Sequence, residues 1–72
     1  MTREELIKIV EEIPEEFLGA YSLELGTNRL HIQMHFQSDI ARAYCQNARV
    51  SNQGYVEFVT HIAGRRVEVT LT

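Results

Sequence analysis

Tryptophan is absent from the 72-residue chain, and cysteine and proline occur once each. One cysteine makes no internal disulfide, so the fold has to hold without that staple. No apolar run approaches the ~20 residues of a membrane span, and the N-terminus has no signal-peptide pattern. A cytoplasmic protein without membrane contact is expected. Chemical signatures are missing too. There is no Cys-x-x-Cys pair, no His-x-x-x-His pair on a helix and no glycine-rich phosphate loop. The four glycines, Gly19, Gly26, Gly54 and Gly64, each punctuate a turn. Aromatic residues are scarce at 8%, and no aromatic run resembles a base-stacking module.

What is present is ordinary for a globular domain: 44% apolar and 24% charged residues. The length allows one domain over residues 1–72 with a thin core, since so small a chain buries only about 60% of the surface it exposes unfolded. A deep catalytic pocket is hard to build on that scale, and pairing in a homodimer would enlarge the core.

The net charge of −3 hides a division. Residues 1–24 carry two basic side chains against seven glutamates; residues 25–72 carry five arginines against three acids, and all three histidines. An acidic first helix is the simple consequence, with Glu4, Glu5, Glu11 and Glu12 facing away from its apolar stripe. Such a face could also meet a basic partner. Non-specific nucleic-acid binding by the whole domain is disfavoured, because it needs a cationic surface to release counterions.

The hydrophobic period defines the elements. Thr2 and Glu5 have capping-box spacing, and Leu6, Ile9, Val10 and Ile13 recur at helical intervals until Pro14 stops the helix. Pro14 then suits the first position of one further turn through Glu15, Glu16, Phe17 and Leu18. After that the period becomes two. Tyr21, Leu23 and Leu25 alternate with polar residues, and Gly26-Thr27-Asn28 supplies turn chemistry. Over 29–37, Leu30, Ile32, Met34 and Phe36 take one face; Arg29, His31, Gln33, His35 and Gln37 take the other. Ser38 is placed to cap a second helix with the stripe Ile40, Ala41, Tyr44, Cys45 and Ala48. Cys45 is expected in the core there. Residues 51–54 form a loop. Tyr55–Ile62 and Val67–Leu71 make a second hairpin around Ala63-Gly64-Arg65. The fold class is α+β, ordered helix, hairpin, helix, hairpin (αββαββ), with a four-stranded antiparallel sheet and both helices on its apolar face.

A competing parse runs through residues 40–66, where Ile40–Tyr44, Val50–Val56 and Arg65-Arg66 carry a faint helix-turn-helix pattern. It would leave Arg42, Arg49, Arg65 and Arg66 to contact phosphates. Cys45 to Asn52 is too long for the usual turn, and Tyr55–Thr60 favours a strand. Nucleic-acid binding is therefore the alternative reading.

No catalytic constellation emerges. His31 and His35 lie ~13 Å apart along one strand and cannot share a metal ion. No cofactor or metal is expected. The polar plane of the sheet remains: Arg29, His31, Gln33, His35, Tyr55, Glu57, His61 and Arg66. A small non-enzymatic module that binds an unidentified protein partner through this face or the acidic helix is the expectation. In kind it looks like the small proteins of phages and mobile elements, including inhibitors that occlude a partner's surface.

Overall fold

The computed structural model describes residues 2–26 and 29–72. The Thr27-Asn28 part of the expected turn lies outside the described residues. Helix α1 spans Arg3–Glu12, strand β1 Ser22–Leu25, β2 Leu30–Met34, helix α2 Ser38–Ala43, β3 Arg49–Val50, β4 Val56–Ile62 and β5 Arg65–Leu71. Short 3₁₀ turns follow each helix, at Glu15–Phe17 and Cys45–Asn47.

Helix α1 begins as its sequence dictates. The Glu5 amide donates to Thr2 Oγ1 at 3.1 Å. The Glu5 carboxylate accepts from the Thr2 hydroxyl rather than from its amide, so half of the capping box forms. The helix ends before Pro14, and Phe17 in the next turn drops into the core. Helix α2 starts one residue earlier than expected: Gln37 is the cap residue, and Ser38 is already helical.

The sheet corrects the expected architecture. It has five strands in the order β1-β2-β5-β4-β3, and it is mixed. β1–β2, β4–β5 and β3–β4 are antiparallel, as hairpins require, but β2 and β5 run parallel. The reason is the route of the chain. Helix α2 carries it across one face of the sheet, and the second hairpin returns with β5, not β4, beside β2. β5 thereby becomes the central strand, and its Val67, Val69 and Leu71 are at most 1% exposed. The fifth strand is short. Arg49 and Val50 pair with Glu57 and Val56 where the sequence suggested only the end of a helix. With residues 56–62 in a strand, the helix-turn-helix parse is not realised.

One core joins the layers. Ile9 of α1, Phe17 and Ile40 of α2 close over Leu30, Ile32 and Met34 of β2, Phe58 and Ile62 of β4, and the inward residues of β5. Both helices thus cover the same face, as the alternation implied. Tyr44 stacks on Phe58 with ring centroids 4.4 Å apart and planes 7° from parallel, and Phe17 sits 5.8 Å from Tyr44. Burial first, and then the hydrogen bond its hydroxyl donates to Glu16, hold the Tyr44 phenol above its usual pKa.

Phe36, Cys45 and Tyr21 depart from their expected places, and Val10 of the α1 stripe is 53% exposed. β2 ends at Met34, so Phe36 leaves the apolar face and is 53% exposed. α2 ends at Ala43, and the tighter 3₁₀ turn swings Cys45 out to solvent. Ser22 pairs with Gln33, and Tyr21 also donates its amide to the Gln33 carbonyl at 3.0 Å. The chain bends at Tyr21, just before the strand begins. The bend aims Tyr21 toward His35 (ring centroids 4.9 Å) and toward the Thr72 hydroxyl. The β4–β5 turn is a two-residue loop with Ala63 at φ 53° and Gly64 at φ 75°. Positive φ at both positions is the type I′ geometry that suits the twist of a hairpin.

Candidate functional site: the outer face of the sheet

The helices leave the other face of the sheet to water. Register fixes which side chains meet there. One row across the strands reads Glu24, His31, Glu68, Val59. The next reads Ser22, Gln33, Thr70, Glu57, Arg49. Arg66 and His61 sit opposite each other one step further down. The face is concave, with a hollow of about 360 Å³ whose lining includes Arg29, His31, Arg49, Glu57, Arg66 and Glu68.

The charges are organised in two groups. Glu68 bridges two arginines: Arg29 donates from Nε and Nη2 to Oε2 at 3.0 and 2.6 Å, and Arg66 donates from Nη1 to Oε1 at 2.9 Å. The hydrogen bonds from Arg29, and then Arg66, hold the Glu68 carboxyl below the usual carboxylate range. On the other flank Arg49 Nε donates to Glu57 Oε1 at 3.2 Å. Three guanidinium groups thus share two carboxylates, and the arginine side chains stay 60% to 83% exposed. Each guanidinium has five N–H donors in a planar fork, and these bonds use at most two. What is left over suits a carboxylate or another planar acceptor on a partner.

Between the two groups lies a part-buried hydrogen bond. His31 Nε2 and Thr70 Oγ1 are 2.9 Å apart, and Thr70 is 7% exposed. A hydroxyl against an imidazole has the form of an activated nucleophile. Here the hydroxyl is largely covered, and its partner is the His31 ring. Among the described residues no group of three or more His, Cys, Asp and Glu side chains converges as metal ligands would.

Of the eight face residues expected from sequence, Arg29, His31, Glu57 and Arg66 line the hollow. Gln33 lies one row above, paired across the strands with Ser22 and Thr70. His61 sits at the lower end beside Arg66. His35 lies past the end of β2 against Tyr21, and Tyr55 precedes β4 at 40% exposed. The acidic residues of α1 differ in their surroundings. Glu4, Glu11 and Glu12 are exposed, whereas Glu5 pairs with Arg65 at the start of β5. The four arginines of the nucleic-acid alternative are dispersed as well. Arg42 is on α2 and Arg65 on the helix-bearing side, while Arg49 and Arg66 are on the outer face. Ser22, Glu24, Val59, Glu68 and Thr70 also lie on this face without being among those eight, and Arg49, expected only as a phosphate contact, joins it. Thr70 follows Arg66 and Glu68 at period two and was legible; Arg49 was hidden by the unexpected strand.

No helix among the described residues is long and apolar enough to cross a membrane. The chain matches no protein-family model, no curated protein and no solved structure.

Proposed function

We propose that this protein is a cytoplasmic, non-enzymatic, homodimeric interaction module that recognises a protein partner through the outer face of its sheet. Its mechanism is occlusion, in the manner of a phage or mobile-element accessory protein or inhibitor. The observation that carries this reading is the hollow bounded by Arg29, Arg49 and Arg66. The three guanidiniums are positioned by Glu57 and Glu68 and still exposed. Held arginines with spare donors are the kind of group that anchors protein interfaces, because less side-chain freedom is lost on binding. The partner surface that fits is one presenting acidic side chains.

Nucleic-acid recognition is the alternative, and the same three arginines support it. The spread of Arg42 and Arg65 away from that face counts against it, as does the net charge of −3. Affinity capture from host extract, quantified against immobilised Arg29→Ala/Arg66→Ala protein, tests the proposal. A stoichiometric protein partner lost by that variant and kept by Glu4→Gln/Glu11→Gln supports it. Binding to short DNA or RNA that falls steeply with salt would replace it with the alternative.

A further inference from the structure

The two edges of the sheet are managed differently. β3 has only two residues and offers almost no template. β1 has four, and among the described residues no strand pairs with its outer side. Gly26 donates to the Arg29 carbonyl at 2.7 Å, which sets the alternation of the β1–β2 ladder. Ser22 and Glu24 therefore turn their backbone groups toward β2, and Leu23 and Leu25 turn theirs outward. The same two leucines belong to the helix-bearing face, opposite Ile32 and Leu30, yet they are 42% and 41% exposed.

Helix α1 supplies a second apolar element beside them. With Ile9 aimed into the core, helical geometry puts Glu5 on one flank and Val10, then Ile7, on the other. Glu5 reaches Arg65 of β5, so the Val10 flank is turned toward the β1 edge. Val10 and Ile7 are 53% and 48% exposed. A stable interface takes about 800 Å² per partner, roughly a sixth of the 5066 Å² this chain exposes. A four-residue strand falls short of that alone. The strand together with the α1 flank offers edge backbone groups and the exposed apolar side chains of Leu23, Leu25 and Val10, with Ile7 further round the helix.

We propose that a second copy of the chain docks here, the two β1 strands pairing antiparallel about a two-fold axis at Leu23. Outward-facing backbone on odd residues restricts the register to odd against odd. Leu23 against Leu25 would set Glu24 directly against itself, which like charge disfavours. Leu23 against Leu23 instead sets each Glu24 carboxylate opposite the partner copy's Ser22 hydroxyl, a donor for it. The result is one continuous ten-stranded sheet with the α1 flanks meeting across the joint. The inference gives the dimer of the proposed function its contact surface, and it does not depend on what the outer face binds.

Two measurements test it. Sedimentation equilibrium should show a dimer, with Leu23→Lys and Val10→Lys each raising the dissociation constant at least tenfold and Arg66→Ala leaving it unchanged. Far-UV circular dichroism of each variant checks that the fold is kept. Residues facing each other in a hydrogen-bonded pair have Cα atoms about 5.5 Å apart, within disulfide range. Leu23→Cys in a Cys45→Ser background should therefore form a covalent dimer on oxidation, and Leu25→Cys should not. A monomer at every concentration, or cross-linking through residue 25 as readily as through 23, would overturn the proposal. Loss of partner capture by Arg29→Ala/Arg66→Ala with the dimer intact would show that the two surfaces act independently.

Discussion

Phe36 and Phe58 are the sharpest pair for testing how this small core is built. Both fall on the apolar phase of an alternating segment, and by pattern alone both belong inside. In the structure Phe58 is 3% exposed, stacked on Tyr44 and 6.3 Å from the Phe17 ring, while Phe36 is 53% exposed beyond the end of β2. Truncating a buried phenylalanine to alanine costs about 3–5 kcal/mol, through lost transfer energy and the cavity left behind. The total stability expected of a domain this size is about 4–11 kcal/mol at the usual ~0.05–0.15 per residue. Phe58→Ala should therefore remove much of it. Phe36→Ala deletes a side chain already half in water and should cost less than about 1 kcal/mol. Urea unfolding followed by circular dichroism reads both, with a slope of roughly 1–3 kcal/mol per molar that should be similar in the two variants. Equal losses for the two substitutions would refute the placement of Phe36 and imply that β2 continues as the sequence pattern suggests.

Glycine substitutions should change sign with position. Gly64 has φ 75° with open space around its Cα, so Gly64→Ala should destabilise by about 1 kcal/mol through backbone strain alone. Gly19 has the same open space without positive φ, and Gly19→Ala should stabilise by about 0.4–1 kcal/mol; thermal melts distinguish the two. Glu68 has its pKa lowered in the folded state by Arg29 and Arg66. Its contribution is present above the unfolded carboxylate pKa and is lost as pH falls through the folded value, so Glu68→Gln should flatten the acid limb of the stability profile. Tyr44 has a raised pKa, which gives the opposite dependence: stability present below the unfolded tyrosine pKa and lost as pH rises through the folded one. Tyr44→Phe should reduce that alkaline loss, as followed by unfolding at stepped high pH.

Much of the architecture was readable from local signals. Thr2, Pro14 and the 3.6-residue stripe fixed α1, and strict alternation placed Leu30, Ile32 and Met34 inside and His31 and Gln33 outside. The parallel pairing of β2 with β5 was not readable. Hairpins declare themselves through their turns, but which strand of the second hairpin lies beside the first depends on how α2 crosses the sheet. β3 was missed because two residues carry no period. Phe36 and Cys45 were misplaced for a related reason: each lies two residues past the point where its element ends, and the hydrophobic period does not say where it stops. The outer face was legible in membership, since phase assigns it, but its ion pairs were not. That Glu68 joins Arg29 to Arg66, 37 residues apart in sequence, follows only from the parallel β2–β5 register.

The arginine-lined hollow on the outer face is proposed as a protein-contact surface. Quantitative capture from host extract at low and moderate salt, comparing wild type with Arg29→Ala/Arg66→Ala and with Glu4→Gln/Glu11→Gln, tests it most directly. One stoichiometric protein partner, retained by the helix variant and lost by the outer-face variant, is expected. A partner retained by the outer-face variant, or recovery of nucleic acid alone, would contradict it.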